Sequence, residues 1–329
     1  MERRVSMADV AALSGVSGQT VSRVVNGSPR VDPGTRSRVE AAMAQLGYRP
    51  HRAARALRTG RTQTIGLLVS TLATVGNSRM LQAVADAASA RGYALTVVTL
   101  CERGDVSAAF TRLVDQGVDG AVVLNEATTA ARGASIPAGL RLVVVDSDPD
   151  DRFAIVQSAH ADGARAAVEH LLGLGHETVW HVAGPAGSFA AAERERGWRE
   201  ALAAAGATVP EVIRGDWSAA SGFRAGEALR SAAATAVFCA NDQMALGLLR
   251  ALAESGADVP GDVSVVGFDD VADASDYRPP LTTVRQDFDA LGERAVARVV
   301  EAIESTTGSG IESVPCRLVV RESTGPRVG

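Results

Sequence analysis

Four polar side chains stand where a ligand could be bound. Asn125, Asp146, Asn241 and Asp269 each directly follow a short apolar run of this 329-residue chain. Open parallel sheets bind ligands beyond the carboxyl ends of their strands, so these amides and carboxylates are candidate hydrogen-bonding groups. Ordinary loop or cap chemistry explains each of them as well, and Asn241 could simply cap a following helix.

The same carboxylates allow an enzymatic interpretation. Asp146, Asp269 and Asp270 could in principle form a glycosidase pair, but the sequence indicates no environment that would raise the pKa of one of them. We therefore expect no catalytic residue. The chain has no P-loop and no G-x-G-x-x-G after its first apolar run, so no nucleotide cofactor is expected.

The sequence predicts neither a metal site nor an exported protein. Four histidines lack metal-ligand spacing and are interpreted as structural or surface groups. Three cysteines, odd in number and far apart, fit a reducing compartment. With no apolar leader and no run near ~18 apolar residues, we expect a cytoplasmic protein without a membrane span. The residues in question are His160, His170, His176, His181, Cys101, Cys239 and Cys316.

Short apolar runs that alternate with Ala-rich helical segments must position the candidate binding groups. Runs of this length, separated by helices, are typical of parallel, doubly wound sheets. The part of the chain from Thr64 onward is longer than one such unit. We therefore expect two similar subdomains, chain crossings near 155–160 and 285, and a ligand cleft between the subdomains. The runs are 65–69, 95–100, 121–124, 142–145, 179–183, 237–240 and 263–268.

Charge is unevenly distributed along the chain. The whole chain has a net charge of −5, with 46% hydrophobic and 22% charged residues. Residues 1–61 contain eleven arginines and four acids, a net charge of +7, which leaves −12 for the remainder. Such an asymmetry is typical of a nucleic-acid-binding module joined to a body with another task, and a solvated Arg-rich face is the alternative.

The basic segment is predicted to form three short helices. A capping box at Ser6 begins a helix over 7–14, Ser17 caps a second helix after a tight turn, and Asp32 caps a third helix that ends at Gly47. The second helix turns its valines inward and presents Gln19, Thr20, Ser22 and Arg23 outward.

Residues 7–26, followed by 36–50, resemble the DNA-binding headpiece of the LacI/GalR family of transcriptional regulators. The segments 215–223, 240–247, 264–270 and 279–288 are similar to the body of that family. The resemblance covers essentially the whole chain. It implies an α/β protein with an N-terminal all-α helix-turn-helix headpiece and two doubly wound parallel-sheet subdomains of the periplasmic-binding-protein type.

The resemblance also implies the domain boundaries. Residues 1–50 would be the headpiece, 51–61 a hinge helix and linker, and 62–329 a core for sugar binding and dimerisation. The N-subdomain would take about 62–158 and 288–315, and the C-subdomain about 159–287 and 316–329. The chain has no leucine-heptad tail of the kind that makes family members tetrameric, so we expect a homodimer.

Operator DNA is the first partner that the resemblance implies. Gln19 and Arg23 carry amide and guanidinium groups suited to purine edges in the major groove, whereas Gly18 offers no side chain. Leu57 matches the minor-groove wedge of the family's hinge helix, with Arg52 beside it. A solvated helix face, and a Leu57 that packs on the body, are the alternatives. The residues expected to contact phosphates or to cap the helix are Ser17, Thr20, Ser22 and Asn26.

A small sugar is the second implied partner. Arg194, Asn241 and Asp269 match residues that clasp sugar hydroxyls, and Trp217 and Phe288 match an aromatic wall. Further pocket positions are Asn125, Asp146 and Gln286. A surface ion pair is the alternative for Arg194, and a core anchor is the alternative for Trp217.

Because Arg194, Asn241 and Asp269 match the family's hydroxyl-binding residues, the resemblance favours a galactoside as the ligand. This galactoside would release a repressor dimer from a palindromic operator. The family pattern changes at Ser158, at Ala190 and over 74–79, so the groups attached to the sugar are expected to differ. A solute-binding protein of a transport system is the alternative function, but it would leave residues 1–61 unexplained.

Overall fold

The computed structural model describes residues 5–48, 60–100, 105–305 and 309–327. The chain divides into two compact units, Met1–Thr62 and Gln63–Gly329. No helix in the described ranges is both long and apolar enough to cross a membrane.

The first unit is a three-helix headpiece, as predicted: α1 (Met7–Ser14), α2 (Gly18–Val25) and α3 (Pro33–Leu46). Ser6 and Asp9 cap α1 reciprocally, and the side chains of Ser17 and Asp32 accept hydrogen bonds from backbone amides in α2 and α3. Apolar side chains from all three helices form a small core: Val10, Val21, Val24, Val31, Val39 and Ala42.

The second unit begins with a six-stranded sheet in which every pairing is parallel. Its strands are β1 (Thr64–Val69), β2 (Ala94–Thr99), β3 (Gly120–Leu124), β4 (Arg141–Val145), β5 (Ala154–Ser158) and β11 (Gly310–Val314), in the order β11-β5-β4-β3-β1-β2. Its helices are α4 (Val75–Ala90), α5 (Val106–Asp115), α6 (Glu126–Gly133) and α11 (Phe288–Glu304). Apolar clusters cover both faces of this sheet, which we call the N-lobe.

A second six-stranded sheet forms the C-lobe. Its strands are β6 (Trp180–Ala183), β7 (Ile213–Arg214), β8 (Ala236–Cys239), β9 (Ser264–Asp269), β10 (Thr282–Arg285) and β12 (Arg317–Val319), in the order β12-β10-β9-β8-β6-β7. All pairings are parallel except that of β12 with β10. The helices are α7 (His160–Gly173), α8 (Phe189–Ala204), α9 (Ala219–Ser231), α10 (Asp242–Glu254) and a 3₁₀ turn at Ala274–Asp276.

The chain passes between the lobes three times, at 158–160, 285–288 and 314–317. The first two passages occur where the sequence predicts them. The strands absent from the list of apolar runs are β5, β7, β10, β11 and β12. In β10 the reason is chemical: Thr282 and Thr283 are fully buried, and their hydroxyls are hydrogen-bonded to other side chains, so a central strand looks polar.

Helices α9 and α10 pack at backbone contact in the C-lobe. A Cβ atom at Gly222 would lie 1.9 Å from the carbonyl oxygen of Met244, and one at Gly247 would lie 1.8 Å from that of Ala219. Both glycines are therefore required by the close approach of the two helices. This packing holds Asn241, at the start of α10, beside the loop that carries Trp217.

Candidate functional site

A cavity open to solvent lies between the two lobes. Apolar side chains and convergent polar groups line it together, as in sites for small organic ligands. All eight residues predicted to bind a sugar lie in its wall. The lining residues are Thr74, Gly76, Asn77, Met80, Asn125, Glu126, Asp146, Ser188, Ala190, Arg194, Trp217, Asn241, Asp269, Gln286, Phe288 and Leu291.

The ends of parallel strands place three of these polar groups. Asn125 follows β3, Asp146 follows β4, and Asp269 ends β9. Their φ angles are +47°, +57° and +117°, in the region that L residues rarely adopt. Strained backbone of this kind gathers at binding sites, where the surrounding fold holds it. Asn241 instead has extended backbone and caps α10 through its Oδ1, so its cap function and its place in the cavity coexist.

Arg194 is the buried cation of the site, with 4% of its surface exposed. Its Nη2 lies 3.5 Å from Asp269 Oδ1, and its Nη1 donates to the carbonyl of Ala240. The guanidinium carbon lies 3.9 Å from the ring centroid of Phe268. The alternative of a helix-surface ion pair is wrong, because the neighbouring Glu193 pairs with Arg196 instead.

A ring of polar contacts joins the two lobes behind the cavity. Asp146 Oδ1 accepts a hydrogen bond from the amide of Ser158 at 3.1 Å, and the Ser158 hydroxyl donates to Gln286 Oε1 at 2.6 Å. Gln286 Nε2 donates to Asp269 Oδ1 at 2.7 Å. Arg194 closes the ring towards His160.

His160 is a member of this ring that the sequence analysis interpreted only as a structural or surface group. Arg194 Nε donates to its Nδ1 at 3.4 Å. Its Nε2 lies 3.0 Å from Asp146 Oδ1, within ion-pair distance but without hydrogen-bond geometry. The residue is buried at the first chain crossing. No motif marks it in the sequence, since only the packing of the lobes brings Asp146 and Arg194 to its two nitrogens.

Burial dominates the electrostatics beneath the cavity. Burial raises the pKa of Asp269, and the opposite charge of Arg194 works against this rise. Burial, together with the nearby Asp269 carboxylate, raises the pKa of Asp242 well above its ordinary value. Asp242 accepts hydrogen bonds from Thr283 Oγ1 at 2.5 Å and from the amide of Val271 at 2.8 Å. It therefore supports the loop that follows Asp269 and does not line the cavity.

Trp217 spans the mouth of the cavity from the C-lobe. Its Nε1 donates to Glu126 Oε1 of the N-lobe at 3.4 Å, and its carbonyl accepts from Asn241 Nδ2 at 3.0 Å. The indole packs on the C-lobe core as well as lining the cavity, so both interpretations of this residue hold. Phe288 faces the cavity from the N-lobe core.

Several lining residues were not predicted to bind a ligand. Thr74, Gly76, Asn77 and Ala190 lie at positions where the sequence departs from the family pattern, and that departure was the available signal. The others follow no pattern that the sequence shows: Met80, Glu126, Ser188 and Leu291.

The headpiece presents a separate polar face. Gln19 and Arg23, four residues apart on α2, are both exposed, and Arg23 has no ion-pair partner in the described part of the chain. The hydroxyls of Ser17 and Thr20 lie 3.0 Å apart at the cap of α2. Asn26 Nδ2 donates to the carbonyl of Ser22 at the other end of the helix. The remaining predicted DNA contacts, Arg52 and Leu57, lie outside the described residues.

Comparison with known proteins identifies both units. Residues 6–51 match the bacterial regulatory proteins of the lacI family, and residues 168–324 match the periplasmic binding protein-like domain. The chain is 40% identical to the lactose operon repressor of Escherichia coli K12, over 97% of this chain and 91% of that protein.

The chain belongs to the lacI family of bacterial regulatory proteins. Other relatives are the regulator CelR of Thermobifida fusca, 36% identical over 98% of each protein, and the ribose operon repressor of Escherichia coli K12, 33% identical over 92% of this chain and 94% of that one. These relatives are regulators rather than enzymes.

Solved structures of the lacI family share the fold. The lac repressor dimer bound to operator and the anti-inducer ONPF superposes with a TM-score of 0.86 at 37% identity, over 98% of this chain and 100% of that one. The CelR–cellobiose complex superposes with a TM-score of 0.74 at 35% identity, over 97% of this chain and 100% of that one. The predicted fold class, a helical headpiece with two parallel-sheet α/β lobes, is confirmed. The interpretation as a transport solute-binding protein is not favoured, since the headpiece belongs to a regulator family.

Proposed function

We propose that this lacI-family protein is a cytoplasmic repressor that binds a palindromic operator as a homodimer and is released by a galactoside in the cavity between its lobes. The observation that carries the proposal is the buried Arg194–Asp269 pair beside Trp217, inside a cleft whose walls come from both lobes. The 40% identity to a repressor named for lactose favours a galactoside over cellobiose, which the CelR complex contains, and over ribose, for which another relative is named.

The cleft chemistry suits a pyranose ring. Vicinal hydroxyls can be clasped in pairs by the guanidinium of Arg194 and the side chains of Asp269 and Asn241, while the C–H face of the ring packs on Trp217 and Phe288. The other polar contacts would come from Asn125, Asp146 and Gln286. We assign these eight residues to the ligand, and Ser158 and His160 to holding them.

We propose that release of DNA depends on the relative placement of the two lobes. A ligand that contacts Asp146 in one lobe and Asp269 in the other favours one relative placement of the lobes, because only that placement brings both sets of groups to it. Coupling free energies between two sites are typically about 1–3 kcal/mol, which changes operator affinity by roughly 5- to 150-fold. The boundaries that we propose for the moving parts are those predicted from the sequence, with lobes of about 62–158 and 288–315 and about 159–287 and 316–329.

At the operator, Gln19 and Arg23 would contact base edges, and Ser17, Thr20, Ser22 and Asn26 would fix the headpiece on the phosphates. We propose that Arg52 and Leu57 act in the minor groove. Leu57→Ala should then weaken specific operator binding far more than non-specific binding, measured by titration of both DNAs in one buffer. If the variant loses affinity equally for both DNAs, Leu57 does not act as a minor-groove wedge.

A thermal-shift screen of mono- and disaccharides, followed by mobility shifts with operator DNA, tests the effector. A galactoside at 100 times its Kd stabilises the folded state by about 2.7 kcal/mol. That raises the melting temperature by about 5 °C for a unit of this size. The same sugar should release the operator complex, and matched glucosides should do less. A galactoside that tightens the complex would refute release, and the absence of any sugar shift would refute the sugar site.

A further inference from the structure

Each side-chain donor nitrogen in the wall of the cleft has a partner within the protein, so an NH2 group keeps at most one N–H for a ligand. Arg194 directs its three nitrogens to Asp269, His160 and the carbonyl of Ala240. The remaining side-chain donor nitrogens in the wall also have partners. Asn77 donates to the carbonyl of Thr71, Asn125 to Asn77, Trp217 to Glu126, Asn241 to the carbonyl of Trp217, and Gln286 to Asp269.

Two carboxylate oxygens in the same wall remain open. Asp146 and Asp269 are at least nine-tenths buried, and each directs its Oδ1 into the polar ring behind the cavity. Among the residues that the structure describes, neither Oδ2 atom has a hydrogen-bond donor, and neither is sealed from solvent. Both oxygens are therefore available acceptors, and a ligand that supplies donors can bind them in place of water.

Glu126 adds a third carboxylate at the mouth of the cleft. It is half-buried at the start of α6, and it accepts hydrogen bonds from Trp217 Nε1 at 3.4 Å and from the Ser70 hydroxyl at 3.3 Å. Among the described lining residues, the carboxylates of Glu126, Asp146 and Asp269 face one guanidinium, that of Arg194. The formal charge of the wall is therefore negative.

We propose that the cleft selects its sugar by charge, with Glu126 as the residue that sets this selectivity: cationic amino sugars bind more tightly than their neutral parents, and uronic acids and sugar phosphates are excluded. The inference rests on the proposed sugar site and deepens it. An ammonium group supplies donors to open acceptors and lowers the electrostatic energy of the wall. An anion meets partly engaged donors and a wall of like charge.

Calorimetric titration of the full-length protein at neutral pH tests this selectivity. The ligands are 6-amino-6-deoxygalactose, galactose and galacturonate, which carry +1, 0 and −1 at one carbon. We expect affinities in that order. A unit charge at several ångströms in a partly solvated cleft changes affinity by about tenfold. In Glu126→Gln, which keeps an acceptor for Trp217, the affinity ratio of the amine to the uronate should fall by about that factor.

Glu169→Gln is the matched control, because Glu169 is an exposed carboxylate on α7 that does not line the cavity. The ratio should not change in this variant, and melting curves verify that both variants are folded. Galacturonate that binds wild-type protein as tightly as the amine overturns the inference, as does a ratio that Glu126→Gln leaves unchanged. If no neutral sugar binds at all, the proposed function itself fails, which is a different result from galactose binding without charge selectivity.

Discussion

Replacing Arg194 with methionine tests the centre of the site. Methionine keeps an unbranched apolar stem against Phe268 but removes the charge and every donor. Asp269 then loses its nearby cation, and the Nδ1 of His160 and the carbonyl of Ala240 lose a donor. All of these groups lie in a region that water reaches poorly, since Arg194 itself is 4% exposed.

The size of the effect follows from this burial. Removing one partner of a buried ion pair costs about 3–5 kcal/mol, because the other charge stays buried without compensation. At about 2 °C per kcal/mol, the unit that contains both lobes should melt about 6–10 °C lower. Galactoside affinity should fall by more than about 100-fold, since a loss of about 3 kcal/mol in the cleft has that effect.

The loss should depend on pH. Burial raises the pKa of Asp269, and Arg194 limits that rise, so the variant has a higher folded pKa than the wild type. A carboxyl group whose folded pKa exceeds its unfolded value contributes stability below the unfolded value, near pH 4, and loses it as the pH rises through the folded pKa. The difference between variant and wild type should therefore grow as the pH rises from about 4.

Calorimetric melting of four proteins measures this effect: wild type, Arg194→Met, Arg194→Met combined with Asp269→Asn, and Arg165→Met. The double variant should melt above the single variant, because its buried carboxylate is gone. Arg165 forms half-exposed surface pairs with Asp162 and Glu200, so its replacement should change stability little. A single variant that melts within 2 °C of wild type, with a pH-independent difference, would refute the reasoning.

Three further predictions concern DNA and packing. Gln19→Ala should reduce operator affinity by about 1–3 kcal/mol and relax preference at one base pair, checked by competition with operator variants; unchanged preference would exclude base contact. Operator affinity should fall by at least about 10³ between ~50 and ~200 mM salt, and a flat response would contradict phosphate binding by the headpiece. Gly222→Ala should lower the melting temperature sharply, since its Cβ would lie 1.9 Å from the Met244 carbonyl oxygen, whereas Gly173→Ala, with open space around it, should not.

Local chemistry determined the headpiece. A capping box at Ser6, a cap at Ser17 and a cap at Asp32 with proline after it specify where each helix begins, and glycines with φ near +65° end the first and third helices. These signals act within four residues, so they can be recognised from the sequence alone. Apolar runs likewise indicated seven of the twelve described strands, namely β1 to β4, β6, β8 and β9.

Strands with polar or short sequences could not be predicted from the apolar pattern of the sequence. The hydroxyls of Thr282 and Thr283 find partners on segments distant in sequence, which hides a central strand, and β7 has only two residues. The candidate site was predicted in part for a general reason. Strand ends of parallel sheets meet at one edge, so polar residues after strands indicated Asn125, Asp146, Asn241 and Asp269.

The sequence by itself determined the headpiece helices, the class of fold and, through its family resemblance, eight residues of the cleft wall. Only the tertiary structure decided how those groups are held. The contacts of His160 with Arg194 and Asp146, of Ser158 with Gln286, and of Glu126 with Trp217 join residues between 14 and 128 positions apart. Each contact depends on the packing of two lobes that the chain crosses three times, and no local pattern carries that information.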